Sequence, residues 1–351
     1  MKRWLKLILL IYSFILSIEL IKNASSILAP NIKSFLFSNL TPLKAVSLGW
    51  FATAIAQSSG AIDSIATALV GNSLIPLQAG IYILIGASLG TTITAMAISV
   101  ITLSKQRRDF RHGFEIGLCY AIYSATLILI VLFLEIFFKF FSRTSLFLAG
   151  NIKVVHELKI PNIIDFATNY LIHPLFQNFR PIFILTFGLV LLIFTLKYVG
   201  KSVIEVFGGE DKARSVINKY FDSKYKSYFL GASLTAILFS SSITTGLLVP
   251  LAVSRIISLK KAIPFIIGAG LGTFADVFLA ALIVGKTSAL AVAISGAMFE
   301  ILGAIIFLPN IDRLEKVTKY TSKHLIKISR KKALYVLIAF ILTPLLLFLI
   351  L

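Results

Sequence analysis

Residues 49–59 read GWFATAIAQSS, and residues 231–242 read GASLTAILFSSS. The relation between these two stretches decides how the chain is built. At an offset of 182 positions, Gly49, Thr53, Ala54, Ile55, Ser58 and Ser59 fall on Gly231, Thr235, Ala236, Ile237, Ser240 and Ser241. The register holds without a gap into a second pair of motifs. There Gly86, Ala87, Leu89, Gly90 and Thr91 of GASLGTT land on Gly268, Ala269, Leu271, Gly272 and Thr273 of GAGLGTF. A repeat of this kind makes the chain two copies of one unit. Each copy sets a cluster of hydroxyls inside apolar sequence, where polar groups are expensive unless satisfied or functional.

The rest of the chain says what surrounds these clusters. Of its 351 residues, 58% are hydrophobic and 14% charged, with a mean hydropathy of +0.93. A soluble domain carries about a quarter of its residues charged. Several apolar runs reach the roughly 20 residues a helix needs to cross a bilayer. The sequence therefore predicts an all-α polytopic membrane protein. Its net charge of +19 does not point to nucleic acid, because the Lys and Arg lie in short clusters between apolar spans, as membrane topology and anionic headgroups require. Cys119 is the single cysteine, so neither a disulfide framework nor a CxxC metal site is encoded. The N-terminal MKRWLKLILLIYSFILSIELIK has the basic start and apolar run of a signal peptide. No small-residue cleavage site follows it, and an uncleaved first helix is expected.

Spans are expected at about 5–21, 74–103, 113–138, 182–199, 262–284, 288–308 and 333–351. Two further segments, 45–70 and 229–253, are interrupted midway by QSSGAID and by FSSS. Glycine and polar residues at mid-span argue for re-entrant or broken helical hairpins, which exist only where protein or a watery cavity surrounds the backbone. If each hairpin enters and leaves on one side, each half holds three full spans, and an odd number of crossings inverts the second copy. The charges agree independently. The loop at 71–73 has none, whereas Arg255, Lys260 and Lys261 follow the second hairpin, so the first dips in from outside and the second from the cytoplasm. The expected organisation is a first inverted repeat over 1–141, an extracellular linker over 142–180 without a clear span, and a second inverted repeat over 181–309. A basic cytoplasmic segment, 310–332, and a last helix, 333–351, complete it. Inverted repeats with interrupted helices are the build of secondary transporters.

Gln57, Ser58 and Ser59 in the first copy answer Ser240, Ser241 and Ser242 in the second. A hairpin break presents helix ends, where free N–H groups bind anions and free carbonyls bind cations. Hydroxyls serve either purpose, so the clusters suit a small oxyanion moved together with a cation. Thr91, Thr92 and Thr273 are expected at the breaks around the second motif. Asp63 and Asp276 lie in apolar sequence, where an acid is functional by default. At the repeat offset Asp63 answers Thr245 and Asp276 answers Thr94, so each half carries one acid where the other has a threonine. A carboxylate with hydroxyls and carbonyls makes a plausible Na+ site. Glu115 and Glu300 follow the matched Phe114 and Phe299 and are expected near the membrane edge. No P-loop occurs, and His112, His156, His173 and His324 are scattered away from the serine clusters.

Paired QSS-type clusters, each followed about thirty residues later by a GA-x-x-GT segment, resemble the sodium–phosphate cotransporter family, the type II group and its prokaryotic relatives. The resemblance covers roughly 45–117 and 231–303. It implies Na+-coupled phosphate symport at the plasma membrane, with no cofactor beyond Na+ as coupling ion. Phosphate would bind at Gln57, Ser58, Ser59, Ser240, Ser241 and Ser242, with Thr91 and Thr273 beside them. Na+ would bind at Asp63, Thr92, Thr94, Thr245 and Asp276. The chain departs from the family in specific places. The family's QSSS becomes QSSG, losing a hydroxyl at Gly60, and FSSS, losing an amide at Phe239. The Asn of GANIGT is replaced by Ser88 and Gly270, and FN by Phe114–Glu115 and Phe299–Glu300. Three readings stay open at this point. They are a Na+-coupled phosphate transporter, a transporter of another anion or one driven by H+, and a membrane-embedded lipid-phosphate phosphatase. The last would need a His, Arg or Glu beside the serines. A non-transporting sensor is a fourth, weaker reading.

Overall fold

The computed structural model describes residues 4–10, 12–13, 16, 20, 24, 27, 40–71, 73, 75–101, 107–152, 163–184, 186–188, 190–191, 221, 223–238, 240–284, 286–325 and 329–350. Phe239, Gly285, His156, part of the expected span at 5–21, most of that at 182–199, and most of the polar stretch between 200 and 223 lie outside them. The helices run in the order α1 (Pro42–Ala56), α2 (Ser59–Gly71), α3 (Leu77–Ile101), α4 (Arg107–Phe138), α5 (Phe140–Gly150), α6 (Ile163–Asn178), α7 (Lys224–Leu238), α8 (Ser241–Val253), α9 (Leu259–Gly272), α10 (Phe274–Val284), α11 (Thr287–Phe307), α12 (Ile311–Leu325) and α13 (Arg330–Ile350). No strand occurs among the described residues. Five stretches there, 77–101, 110–138, 259–282, 287–307 and 331–350, are long and apolar enough to cross a membrane. The chain is an all-α polytopic membrane protein.

Both expected interruptions form where polar residues break the apolar runs. The first breaks between α1 and α2, and the second between α7 and α8, so Ser59 and Ser241 open the second arms at equivalent positions. Glycines then dock each first arm on the next helix of its own half. A β-carbon added at Gly49 would fall on the Ile83 carbonyl, and one at Gly86 on the Val46 carbonyl. The second half repeats both contacts at the same offset, with Gly231 against the Phe265 carbonyl and Gly268 against the Tyr228 carbonyl. Gly90 likewise meets Trp50 and Thr53, and Gly272 meets Ala232 and Thr235. Small residues four apart allow this backbone approach, which is how helices associate where lipid supplies no hydrophobic drive. The duplication is thus a duplication of docking geometry as well as of letters.

The second arms behave differently. α2 packs on α10 and α11 of the other half as well as on α3 of its own, and α8 packs on α3 and α4 as well as on α7 and α9. The halves are joined through these second arms.

Local findings add detail to the expected organisation. The stretch 142–180 is expected as a linker without a clear span, and no helix among its described residues is long and apolar enough to cross a membrane. Its described part is helical, although α5 and α6 have only 11 and 16 residues. α5 packs on α11 through a buried face that includes Phe141 and Ser145. Its start is capped by Glu135, whose Oε2 accepts from the backbone N–H of Phe141 at 2.9 Å and of Ser142 at 3.1 Å, a favourable place for a negative charge. The span expected at 262–284 falls on the apolar stretch 259–282, in which α9 and α10 meet at Thr273 with the backbone still in the helical region. Its counterpart α3 runs unbroken through Gly86, Gly90, Thr91 and Thr92.

The basic segment forms the amphipathic α12, which buries Ile311, Leu314, Thr318 and Ser322. Arg111 of α4 holds it in place. Its guanidinium donates to Glu115 Oε1 at 2.8 Å, to Ser322 Oγ at 3.2 Å and to the Lys319 carbonyl at 3.3 Å. Glu115 is 2% exposed. Arg111→Met is therefore expected to leave the buried carboxylate with only His112, whose Nδ1 lies 3.8 Å from Oε2, and to cost up to about 3 kcal/mol. A drop in melting temperature, with α12 becoming open to protease, would be the readout. At the surface Lys260 Nζ meets Asp312 Oδ1 at 2.5 Å. This hydrogen-bonded ammonium holds the Asp312 carboxyl below the usual carboxylate range, an exposed contact that adds little to stability.

Candidate functional site

The candidate site lies where the two helix breaks meet helices of both halves. Gln57 ends α1 in the left-handed region, at φ 54° and ψ 27°. That conformation is strained for a side-chain-bearing residue, by about 1 kcal/mol or more. Local bonds hold it. The Gln57 backbone N–H donates to the Thr53 carbonyl at 2.8 Å, and the side-chain amide donates to the Ala54 carbonyl at 2.5 Å. The turn so made aims the amide oxygen at α3, where it accepts from Thr94 Oγ1 at 2.6 Å.

Thr94 also lies 3.5 Å from Ser242 Oγ of α8. One hydroxyl of the first half thus touches both serine-cluster motifs. Ser240 is the N-cap of α8, its Oγ accepting from the Ile243 N–H at 3.3 Å. Its carbonyl accepts from the Thr244 N–H at 3.1 Å, and at the repeat offset Ser58 accepts from the Ile62 N–H at 3.4 Å. The first turns of α2 and α8 therefore open on this region with N–H groups and hydroxyls together, the combination that suits an oxyanion. Ser59, Ser241 and Ser242 are buried, while Ser58 and Ser240 are half-exposed.

The opposite crossing mirrors this one with a different chemistry. At the repeat offset Ser242 becomes Gly60 and Thr94 becomes Asp276. A β-carbon built on Gly60 would fall on the Asp276 carboxylate. The carboxylate of α10 therefore fills the space that a serine side chain at position 60 would take. Asp63, 2% exposed on α2, lies within electrostatic reach of Asp276. Its Oδ1 is buried without a hydrogen-bond partner among the described residues.

Not every expected residue joins this group. Thr91 and Thr273 occupy equivalent positions, and each donates to its own helix, to the Ala87 carbonyl at 3.1 Å and the Ala269 carbonyl at 3.2 Å. Thr92 donates to the Leu89 carbonyl at 2.8 Å. Thr91 and Thr92 also sit in a continuous helix rather than at a break, because the glycines beside them serve packing instead of unwinding. Thr245 donates to the Ser241 carbonyl at 2.7 Å, which stiffens the first turn of α8.

Two tyrosines that the sequence reading passed over complete the surroundings. Tyr120 of α4 is buried with its hydroxyl in hydrogen-bonding reach of Ser241 and Ser88, and Ser88 Oγ lies 3.3 Å from Ser124 Oγ. Tyr123 donates to Glu300 Oε2 at 2.8 Å. Their signal in the sequence is a set of polar tips, Tyr120, Tyr123 and Ser124, on one side of an otherwise apolar span. Glu300 and Glu115 are both buried within the bundle, at 1% and 2% exposure, and Glu115 lies in the opening turns of the apolar stretch 110–138. Glycine makes the room for Glu300 and Arg111 offsets Glu115.

The sequence pattern of the Na+/Pi-cotransporter family matches residues 13–156 and 191–345. The sodium-dependent phosphate transport protein 2A of Rattus norvegicus is 21% identical over 420 aligned residues, covering 96% of this chain and 66% of the relative. The Ovis aries 2A protein is 21% identical, covering 95% and 65%. The Homo sapiens sodium-dependent phosphate transport protein 2B is 28% identical over 138 residues, covering 37% of this chain and 20% of the relative. The chain spans just under two thirds of the length of the 2A relatives. No solved structure matches it.

Proposed function

The chain belongs to the Na+/Pi-cotransporter family, and on that premise we propose that it is a secondary active transporter coupling inorganic phosphate to Na+ at the cell membrane. The observation that carries this reading is the contact of Thr94 with both Gln57 and Ser242, which brings the two serine-cluster motifs to one place at the first turns of α2 and α8. Phosphate would take hydrogen bonds from Ser58, Ser59, Ser240, Ser241, Ser242 and the Gln57 amide. Na+ would take oxygen ligands from Asp63, Asp276, Thr94 and Thr245. Thr91, Thr92 and Thr273 would shape the helices behind. Asp63 Oδ1, buried without a partner, suits a cation as ligand.

In this reading the two repeats, 1–141 and 181–309, are inverted in the membrane and the hairpins meet near its midplane. Alternating access then arises because the second arm of each hairpin packs on the opposite half, so a rocking of one half against the other changes both faces of the site. Of the other readings, the enzyme is set aside, because the family is one of cotransporters. Another anion or H+ coupling on the same site is decided by experiment.

The test is uptake of radiolabelled phosphate into proteoliposomes, with and without an inward Na+ gradient. Wild type is expected to take up phosphate only with the gradient. Ser241→Ala removes one hydrogen bond to a charged ligand and is expected to weaken uptake roughly tenfold or more. Uptake that ignores Na+ and follows a pH gradient would move the coupling to protons. Folded protein that moves no phosphate under either gradient would overturn the assignment.

A further inference from the structure

The Gly60–Asp276 arrangement has a second instance in the molecule. At the repeat offset Ser88, which faces Ser124 across 3.3 Å, becomes Gly270. A β-carbon built on Gly270 would fall on the carboxyl group of Glu300. Twice, then, a serine of one half is answered by a glycine with a carboxylate laid over it, although Glu300, unlike Asp276, is not the repeat counterpart of the hydroxyl it replaces. The Glu300 carboxyl has a socket made for it. Gly270 of α9 leaves its volume, and Tyr123 of α4 donates to Oε2 at 2.8 Å. Gly303, one turn further along α11, leaves room for the Tyr123 hydroxyl, and Phe307 packs edge-on against the Tyr123 ring at 5.1 Å.

A carboxylate this deep in an apolar bundle is functional by default. One hydrogen bond from a neutral phenol does not balance its charge. Among the described residues, the titratable groups in electrostatic reach of Glu300 are Tyr120 and Tyr123 from α4, Tyr228 from α7 and Asp63 from α2. None of them brings a positive charge. α9 presents the Gly270 backbone at the carboxyl, and α10 contributes Asp276, which acts on Asp63. The missing partner is a cation.

We propose that the Glu300 carboxyl is a second cation position, distinct from the one at the hairpin breaks, and that it takes up a monovalent cation, Na+ or H+, between α4, α9 and α11. Its place in the transport cycle rests on the transporter reading, but cation binding itself does not. With Glu300 loaded, the interior carries one negative charge less when a phosphate anion enters, so the two ligands favour each other.

The test uses the purified full chain in detergent without phosphate, with melting followed while Na+ replaces choline at constant ionic strength, and separately as the pH is lowered. Glu300→Gln keeps the volume and the acceptor for Tyr123 but carries no charge. A wild-type melting temperature that rises with Na+ at fixed pH, and needs roughly tenfold more Na+ or fails to rise in Glu300→Gln, assigns sodium. A rise on acidification that ignores Na+ and shrinks in the variant assigns the proton. The same cation dependence in both proteins overturns the proposal. If Glu300→Gln does not fold, Tyr123→Phe keeps the charge and removes its donor, and is expected to steepen the response. An unchanged response there is equally fatal. None of these readouts needs phosphate to move, so a wild type that binds cation at Glu300 and transports nothing would sink the transport reading alone.

Discussion

Gly268→Val is expected to yield little or no folded protein, and Gly86→Val the same. At both positions the added carbon falls on a backbone carbonyl, of Tyr228 and of Val46 respectively. A side chain in the way can turn aside, but a carbonyl in the middle of a helix cannot move without its helix. The arms α7 and α1 would have to part from α9 and α3 along the contact line, and the hairpin breaks would lose their support. Overpacking into a well-packed interior costs about 1–3 kcal/mol, and a clash with helix backbone belongs at or above the top of that range. Size-exclusion profiles and melting curves in detergent are the measurements. Gly150→Ala is the control, since nothing lies within 4 Å of its β-carbon position. It is expected to change stability by no more than about 0.5 kcal/mol. Equal damage at positions 150 and 268 would refute the docking argument.

Gly60→Ser is expected to be as harmful, for a different reason, and to be repairable. The serine would collide with the Asp276 carboxylate, and fitting its hydroxyl beside a buried acid strains the first turn of α2. Asp276→Thr alone is expected to lose Na+-dependent uptake, because it removes a proposed cation ligand. Together, the two substitutions recreate at the first break the serine–threonine pair that Ser242 and Thr94 make at the second. The double variant should therefore be more stable than the sum of the singles by about 1–3 kcal/mol, the coupling expected of residues in contact. A double-mutant cycle on melting temperature measures this, and strictly additive effects would show that the two positions do not share space. Restored folding without restored Na+ dependence would separate the structural swap from the role of the acid.

Much of this arrangement was legible in the sequence because it is written locally. Polar residues interrupting apolar runs at 57–60 and 240–242 placed both breaks, and the common offset placed the docking glycines. The amphipathic pattern of α12 was equally readable, with Ile311, Leu314, Thr318 and Ser322 falling on one face. Rotation about a helix axis was not readable where a helix is apolar all round. α3 is buried on nearly every side, so nothing in its periodicity says that Thr94 faces the site while Thr91 and Thr92 turn back on their own carbonyls. The same limit hid Glu300. Its neighbours in sequence place it in a span, but only the tertiary meeting of Gly270, Gly303 and Tyr123 makes it central. The position of Asp276 over Gly60 was half-visible. The sequence showed a missing hydroxyl and an extra acid in different halves, and the fold supplied their adjacency.

The packing of each second arm on the opposite half also bears on how the protein is made. When α2 leaves the ribosome, α10 and α11, against which it packs, have not yet been synthesised. Its acid and hydroxyls must wait for about two hundred residues of further chain, which at about 5–20 residues per second is roughly ten to forty seconds. During that interval Asp63 and Ser59 have neither their final neighbours nor the shelter of the finished bundle, in a setting where exposed polar groups are disfavoured. α2 can pack on α3 as soon as that helix is made, but the face it turns to α10 and α11 depends on the insertion machinery until they arrive.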